Sequence, residues 1–370
     1  MECANLGCGA VNGEFEERVK GMVRMGLLLS DSPRNITARQ QFSDVLRIVE
    51  AAQKNGFTHI AIGQHFLYGE LRWLQPVSLL ARLAAEVDSH VRLVTQVMIA
   101  PLYHPIMLAE EIATLDIVTE GRLIFGAGLG YRRDEYDQFG IPYSQRGARF
   151  DECLEVMTRL WTQEVVSYDG AYYHLNGVEP HLQPVQQPYP PIWIGAHAPV
   201  GVRRAGRYGD AYACTPEATK AEIAARYAIV RDGFAARDKP FGPQPLRRNC
   251  WIGPTRESAM EEFARVAQAR YVTYSEKDLP TADGEKLRAN FASAVSGRAV
   301  IGTAADVVAE LTDLVTSLPI DPVLVRPQWP TMSADFTIEV LDRFGREVVP
   351  ALAEITPRAD IASEAASSLS

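Results

Sequence analysis

The sequence predicts an α/β protein in which eight parallel strands close into a (β/α)8 barrel, because two periodic patterns alternate along most of the chain. Short apolar segments that fit buried strands are followed by segments whose apolar residues recur every three or four positions, as on one helix face. A helix between two strands returns the chain to the same edge of the sheet, so the strands run parallel. Eight such units fit a closed barrel, and a doubly wound open sheet is the alternative.

The predicted barrel strands are short apolar segments bounded by glycine, proline or polar residues. Each has the length and composition of a strand that is buried on both faces, as parallel barrel strands are. In chain order they cover residues 22–29, 58–63, 91–99, 123–126, 192–194, 210–214, 246–252 and 320–325.

The predicted helices begin at recognisable capping residues. Thr37, followed three positions later by a glutamine, fits a capping box, and Thr303 opens a helix late in the chain. Pro76, Pro105 and Pro199 each stand at the first turn of a helix, where a missing backbone N–H costs nothing. These signals fix where the helices begin and therefore where the preceding loops end.

A single barrel domain is expected over residues 21–356. Four segments, two inside this range and two outside it, do not follow the repeating pattern. The Asp169-Gly170 pair is typical of a tight turn and predicts a β-hairpin outside the barrel. Polar residues and weak periodicity interrupt the alternation late in the chain. The four segments are an N-terminal extension at 1–20, an insertion hairpin at about 163–188, an irregular segment at about 270–298 and a frayed tail at 357–370.

Composition narrows the possible partners and location. The chain has 370 residues and a net charge of -9, so bulk affinity for nucleic acid or an anionic membrane is not expected. The N-terminus lacks an apolar leader, and the longest uncharged run contains prolines and polar residues, so no membrane span is predicted. The five cysteines lack metal-binding spacing, which indicates free thiols, no metal site and a cytoplasmic location.

Candidate functional residues are those at the ends of the predicted strands, because a barrel of this kind carries its site at the carboxyl ends of its strands. This rule needs no knowledge of any family. It selects Gln64 and His65 after the second strand, Thr95, Gln96 and Val97 in the third, Gly126, Gly128, Leu129, Gly130 and Tyr131 after the fourth, Gly195, Ala196 and His197 after the fifth, and Arg326 after the eighth.

The glycines at 126, 128 and 130 allow two interpretations. Without side chains they let the backbone approach a flat ligand closely, or they simply let strands pack tightly at the barrel rim. A dinucleotide-binding fingerprint would need another glycine at position 131, where Tyr131 stands. A self-contained nicotinamide site is therefore not predicted.

The segment from Gly195 to Pro199 is a candidate phosphate site. A strand ends, small residues follow and a helix begins, so free N–H groups and the positive end of the helix dipole meet there. His197 adds a further donor. An ordinary strand-to-helix turn has the same sequence, and the residues alone do not separate the two interpretations.

His65 is the candidate acid or base, because imidazole titrates near neutral pH. It stands at a strand end among aromatic residues. A structural histidine is the alternative, since single histidines most often have packing roles.

Taken together, several segments resemble the bacterial luciferase-like flavin monooxygenases. The resemblance runs from about residue 22 to 349 and is strongest over 93–216. The motifs are individually weak, but their order and spacing are specific. They are Gly63-Gln-His-Phe66, Tyr103-His-Pro105, the segment 115–126, Gly128-Leu-Gly130 with Glu135 and Phe139-Gly140, Arg146 with Arg149, Leu160-Trp-Thr162, the segment 184–195, and Ile301-Gly-Thr303.

The resemblance implies a luciferase-like TIM barrel with insertions, often a homodimer, that binds reduced FMN or the related deazaflavin coenzyme at the strand ends. It implies a non-proline cis peptide bond near Gln96–Val97, beneath the flavin ring. It also implies that Gly195, Ala196 and His197 hold the phosphate. Residues 270–298 correspond to a mobile lid that shields the flavin from water.

The sequence departs from luciferases at three positions. Luciferases carry two adjacent histidines after the second strand, where this chain has Gln64-His65. Their phosphate-binding arginine is replaced by Leu129, and the serine pair of other FMN-using members by Ala196-His197. Light emission is therefore not expected, and the flavin type stays open.

The sequence leaves three functional hypotheses. In the first, the chain is a two-component monooxygenase that uses O2 and reduced FMN from a separate flavin reductase to oxygenate a small organic substrate. His65 then assists proton transfer, with Gln64 and Tyr131 as polar partners. In the second, the barrel uses a deazaflavin coenzyme as a dehydrogenase or reductase. In the third, it binds a flavin without catalysis, since fold does not fix chemistry.

Overall fold

The computed structural model describes residues 21–29, 31–33, 35–69, 71–276 and 284–360. The expected N-terminal extension at 1–20, the middle of the irregular segment and the last part of the tail lie outside the described residues. Within the described residues, no helix combines the length and apolar character needed to cross a membrane.

Eight parallel strands form the barrel, as the sequence predicts. The strands are adjacent in the order β6-β5-β4-β3-β2-β1-β8-β7, and a parallel bridge between Cys214 and Leu246 joins the two ends of this series. The open doubly wound sheet is therefore excluded. The strands are β1 (Met25–Leu29), β2 (His59–Ile62), β3 (Arg92–Thr95), β4 (Leu123–Gly128), β5 (Ile192–Gly195), β6 (Ala211–Ala213), β7 (Gln244–Ile252) and β8 (Ile320–Val325).

The helices surround the strands and begin where the capping residues predict. Thr37 and Thr303 accept hydrogen bonds from the first turns of their helices, and Thr303 forms a full capping box with Asp306. The helices are α1 (Ala38–Lys54), α2 (Pro76–Leu83), α3 (Pro105–Val118), α4 (Arg133–Gln138), α5 (Arg146–Thr162), α6 (Pro199–Tyr208), α7 (Lys220–Ala235), α8 (Arg256–Glu276), α9 (Gly284–Ala289), α10 (Phe291–Val295), α11 (Ala304–Ser317), α12 (Ala334–Glu347) and α13 (Val349–Ala353).

Additional short strands lie at the ends of the barrel. Val166–Asp169 and His174–Val178 form an antiparallel hairpin on either side of the Asp169-Gly170 turn. Ser32–Pro33 pairs with Leu71–Arg72 above β1 and β2. Ala299–Gly302, which the sequence analysis missed, pairs with the distal half of β7 because β7 is longer than its neighbours.

The barrel interior is packed with side chains and is not a channel. An inner cluster includes Val94, Ile124, Trp193 and Leu324, all buried, and the Trp193 ring stacks on His59. A larger apolar layer between the strands and the helices surrounds this cluster. Because the interior is filled, a ligand can bind only beyond one end of the strands.

The third strand differs from the prediction. The sequence suggested one strand over 91–99, but β3 ends at Thr95 and the chain resumes pairing at Met98–Ile99, against β4. The Gln96–Val97 peptide bond between them is cis, as the resemblance implied. The third strand is therefore interrupted at Gln96–Val97, and pairing with β4 resumes after the interruption.

The fourth strand is longer than predicted. It runs through Gly126 to Gly128, so these glycines lie in the barrel wall and not in a loop after the strand. A Cβ at position 126 would lie 1.8 Å from the Thr95 carbonyl oxygen. The glycine therefore lets two strands approach each other closely, and this contact is not visible in the local sequence.

Candidate active site

A cavity of about 460 Å³ opens at the carboxyl ends of the barrel strands. All eight strands or the segments that follow them contribute to its lining, and the volume lies in the range of small-molecule sites. Of the predicted site residues, those that line it are Gln64, His65, Gln96, Val97, Gly128, Leu129, Gly130, Tyr131, Gly195, Ala196, His197 and Arg326.

Thr95 and Gly126 lie in the wall of the barrel, outside the cavity lining. The Thr95 hydroxyl donates to the Gly126 carbonyl at 2.8 Å, and the Gly126 N–H donates back to that hydroxyl at 2.8 Å. Thr95 is completely buried. The pair therefore joins β3 to β4 directly beneath the cavity floor and leaves the Thr95 hydroxyl turned away from any ligand.

The segment that follows β3 forms part of the cavity floor. Cβ atoms at Gly128 and Gly195 would lie 2.6 Å and 2.9 Å from methyl carbons of Val97, so both glycines accommodate that side chain. Gln96 also lines the cavity, and its carboxamide oxygen is buried without a hydrogen-bond partner. The floor thus combines an apolar contact surface with one unused acceptor.

His65 is held by a buried carboxylate. Its Nδ1 lies 3.1 Å from Oε1 of Glu135, a residue of α4 whose side chain is 1% exposed. A carboxylate only accepts hydrogen bonds, so the proton of the neutral ring lies on Nδ1. The Phe66 backbone N–H also donates to Glu135 Oε1, at 2.7 Å. Nε2 of His65 is therefore left as the basic nitrogen.

Aromatic rings enclose His65. Its ring centroid lies 4.8 Å from that of Tyr68, 4.8 Å from that of Trp73 and 5.3 Å from that of Tyr131. The Tyr131 hydroxyl lies 3.5 Å from His65 Nε2. Burial lowers the pKa of His65, the hydrogen bond to Glu135 partly opposes this, and Arg270 and Arg132 lower the pKa further. The imidazole is therefore neutral and basic near neutral pH.

The side-chain amide of Gln64 is already fully used by the protein. Its Nε2 donates to Gln75 Oε1 at 3.1 Å and to the Tyr103 hydroxyl at 2.5 Å. Its Oε1 accepts the Ile99 N–H at 3.0 Å. Gln64 thus fixes the segment after β3 against the segment after β2, which makes it a positioning residue more than a proton donor.

The other end of the cavity lies at the start of a helix. The α6 helix begins after Ala198, and no side chain caps its first N–H groups. Tyr212 donates to the Ala196 carbonyl at 2.8 Å and so fixes the loop. Burial, with a smaller effect of Arg226, lowers the pKa of His197 to about 4, so this ring is a neutral donor.

The positive charge at this end comes from arginine. Arg146, at the start of α5, lines the cavity, stacks on the Tyr143 ring and donates to the Tyr143 carbonyl at 2.8 Å. It forms no ion pair with another described residue. Arg204 lines the same region, but its guanidinium is paired with Asp151 at 2.6 Å. Of these two arginines, Arg146 is therefore the one whose charge is not paired with a described carboxylate.

A network of charges lies above β1 and β8. Asp31, with a side chain 1% exposed, lies 2.7 Å from Arg326 and 3.3 Å from Arg270. The Arg270 guanidinium also lies over the Tyr68 and Trp73 rings beside His65. Because Arg270 belongs to α8, the first residues of the segment predicted as a lid contact the site in this structure. Residues 277–283 of that segment lie outside the described residues.

Several site residues were missed as functional candidates in the sequence. Glu135 appeared only within a family motif, and Arg146 likewise; neither follows a predicted strand. Arg247 lies inside β7 next to Arg248 and Asn249, and charged residues within a largely buried strand are the signal that could have identified it. Among the described residues, no group of three or more histidine, cysteine or acidic side chains is arranged to hold a metal.

Comparison with known proteins supports a specific family. The family model described as "Luciferase-like monooxygenase" matches residues 23–321. A curated relative, the "F420-dependent glucose-6-phosphate dehydrogenase" of Gordonia bronchialis, is 33% identical over 179 residues, which is 46% of this chain and 52% of that protein. A "Phthiodiolone/phenolphthiodiolone dimycocerosates ketoreductase" of Mycobacterium tuberculosis is 34% identical over 140 residues, 37% of this chain and 36% of that protein. The matches thus span between about a third and a half of these relatives.

Solved structures share the fold over almost the whole chain. Monooxygenase RslO1 from Streptomyces bottropensis superposes with a TM-score of 0.78 at 24% identity, covering 89% of this chain and 99% of that one. The oxygenating constituent of 3,6-diketocamphane monooxygenase of Pseudomonas putida, solved with FMN, gives a TM-score of 0.71 at 17% identity, covering 91% and 100%. At these identities the likeness establishes the fold alone.

Proposed function

Because the chain belongs to the luciferase-like monooxygenase family, we propose that it is a flavin-dependent monooxygenase that uses reduced FMN and O2 to oxygenate a small organic substrate. The observation that carries this proposal is a neutral imidazole, His65, whose side chain is 13% exposed and faces a cavity with an apolar floor and an anion-binding end. A separate flavin reductase supplies the reduced cofactor, and the chain acts as a homodimer in this proposal.

The cavity residues fit a flavin. The floor formed by Val97 between Gly128 and Gly195 offers a contact surface that a planar ring needs, and the unused Gln96 oxygen can accept a hydrogen bond from a ring N–H. Arg146 and the uncapped start of α6 can hold an anionic tail. In this proposal Arg146 and the start of α6 take the role of the phosphate-binding arginine that luciferases carry at the position of Leu129.

When bound, the reduced flavin supplies the electrons for O2 activation, while the protein controls water and protons. Tyr68, Trp73 and Tyr131 surround His65, and Arg270 covers two of these rings, so bulk water is kept from the reacting region. Nε2 of His65 accepts or returns a proton, and the Tyr131 hydroxyl lies beside it. Glu135 keeps the proton on Nδ1.

A second function on the same site is dehydrogenation or reduction with a deazaflavin coenzyme. The specific observation in its favour is the His65–Glu135 pair, since a neutral Nε2 is the base that a substrate hydroxyl needs when it loses hydride. The two curated relatives named above, a dehydrogenase and a ketoreductase, support this alternative over their matched segments.

One experiment separates the candidates. The purified chain is titrated anaerobically with reduced FMN and with reduced deazaflavin coenzyme, O2 is then admitted with candidate substrates, and products are analysed by mass spectrometry with ¹⁸O2. Incorporation of ¹⁸O with reduced FMN supports the monooxygenase. Tight deazaflavin binding with hydride transfer and no O2 consumption supports the second function. Binding of either cofactor without turnover of any substrate identifies a non-catalytic flavin-binding barrel and contradicts both.

A further inference from the structure

Two ionisable side chains on one wall of the cavity have no ionic partner among the described residues. Glu217 follows β6, Arg247 lies on β7, and both line the cavity. Nε of Arg247 is buried and makes no hydrogen bond. A guanidinium stays charged at any physiological pH, and leaving a buried donor without a hydrogen bond costs free energy. A ligand that accepts hydrogen bonds from Arg247 would remove this cost.

Arginine side chains predominate near this wall. Asp31 lies 2.7 Å from Arg326 and 3.3 Å from Arg270. Burial raises the pKa of Glu217, and the nearby Arg247, Arg248 and Arg326 oppose this by lowering it. An anionic group bound beside Arg247 would therefore lie among several guanidinium groups, although the whole chain has a net charge of -9.

The charged wall is continuous with the chamber around His65. Arg326 and Asp31 both line the cavity. Asp31 lies 3.3 Å from Arg270, and the Arg270 guanidinium lies over the Tyr68 and Trp73 rings beside His65. A ligand bound at Arg247 can therefore extend towards the proposed base. The anion-binding end beside Arg146 is built from other elements, α5 and the start of α6.

We propose that the substrate of this enzyme carries an anionic oxygen group, a carboxylate or a phosphate ester, and that Arg247 binds this group. The inference rests on the proposed function, since it specifies the substrate class of the same site. An anionic oxygen that accepts from Nε satisfies the unused donor, and a bidentate interaction also pairs the guanidinium charge.

The test compares matched ligands on the full chain. Calorimetric titrations with benzoate, phenyl phosphate and the neutral benzyl alcohol measure the preference for charge. We expect one anion to bind about tenfold more tightly than benzyl alcohol or better, which corresponds to about 1.4 kcal/mol. A preference for benzoate identifies a carboxylate, and a preference for phenyl phosphate identifies a phosphate ester. Equal affinity for all three probes overturns the proposal.

Variants assign the effect to Arg247. Arg247→Gln should abolish the preference, Arg247→Lys should retain part of it, and Arg39→Gln, an exposed control on α1, should leave it unchanged. FMN affinity, followed by flavin fluorescence, should stay within about threefold in all variants, about 0.7 kcal/mol. A parallel loss of FMN affinity in Arg247→Gln assigns the arginine to the cofactor and overturns the proposal. If the wild type binds no flavin at all, the proposed function fails independently of the anion result.

Discussion

His65 illustrates how burial and one hydrogen bond set the chemistry of a single residue. Burial favours the neutral ring, and Glu135 fixes which nitrogen carries the proton. Glu135 in turn is held by the Phe66 N–H, so the orientation of the imidazole depends on the segment after β2 and on α4 together. The predicted base and its positioning residue thus come from distant parts of the sequence.

Replacing His65 should separate catalysis from binding. In His65→Ala we expect turnover to fall about 100-fold or more, because proton transfer by a positioned side chain contributes this much. Cofactor affinity should change little, because the ring of His65 does not form the cavity floor. Steady-state kinetics and a flavin titration measure the two quantities. His174→Ala, an exposed histidine in the hairpin, is the control, and equal turnover in the two variants would remove His65 from the mechanism.

Replacing Glu135 should shift the pH dependence of activity. The wild type needs neutral His65, whose pKa lies below its ordinary value, so activity should persist below about pH 6.5. Glu135 raises that pKa, so Glu135→Gln should move the acidic limb of kcat/KM to still lower pH and reduce the maximum. The surface variant Glu347→Gln should leave the profile unchanged. A shift of the acidic limb to higher pH in Glu135→Gln would contradict this account, because it would mean that Glu135 does not raise the pKa of His65.

At the scale of elements, the contact between β3 and β4 supports the whole site. Thr95 and Gly126 bond to each other beneath the cavity, and Val97 is accommodated by Gly128 and Gly195. The sequence left open whether the glycines at 126, 128 and 130 let a ligand approach or let strands pack tightly. Gly126 serves strand packing, whereas Gly128 and Gly130 also line the cavity. Packing between strands that are distant in sequence thus decides what these residues do.

A methyl group at position 126 tests this contact. Gly126→Ala should lower the free energy of unfolding by about 3 kcal/mol or prevent folding, since its Cβ would overlap a backbone oxygen that cannot move aside. Gly242→Ala is the matched control, because its Cβ would have open space around it. Urea unfolding measures both variants. Equal stability of the two would contradict the described approach of β3 and β4.

The sequence was sufficient for local features of the elements and insufficient for long-range ones. Caps such as Thr37 and the prolines at helix starts act within a few residues, so their positions could be predicted. The interruption of the third strand depends on pairing with β4, and Ala299–Gly302 forms a strand only because β7 extends past its neighbours. Glu217 and Arg247 were not predicted as site residues, because the barrel brings them to one wall of the cavity only when its strands close.

For the whole molecule, the buried His59 and the partly buried His65 and His197 should control stability between neutral and mildly acidic pH. Burial is the first cause of the low pKa values of His59, His65 and His197, and His197 is lowered to about 4. The unfolded chain, with histidine pKa values near 6.5, binds more protons than the native state below that pH. Stability is therefore fully present above about pH 6.5 and should be lost as pH falls.

Urea unfolding between pH 7 and 5.5 tests this linkage. Each proton taken up on unfolding should reduce stability by up to about 1.4 kcal/mol per pH unit. His59→Gln should show a shallower slope than the wild type, because position 59 no longer titrates, whatever its effect on absolute stability. His174→Ala, with an exposed imidazole, should keep the wild-type slope. Stability that is constant or rises as pH falls would contradict the buried neutral state of these rings.

The closed barrel brings the ends of all eight strands to one cavity, and the central claim is that a flavin-type ring binds there. The most direct test is a crystal structure after anaerobic soaking with FMN and, separately, with the deazaflavin coenzyme. We expect the ring of at least one cofactor to lie against Gln96–Val97, with His65 beside it and the anionic tail between Arg146 and the start of α6. A ring bound outside this cavity, or no binding of either cofactor, would contradict the account.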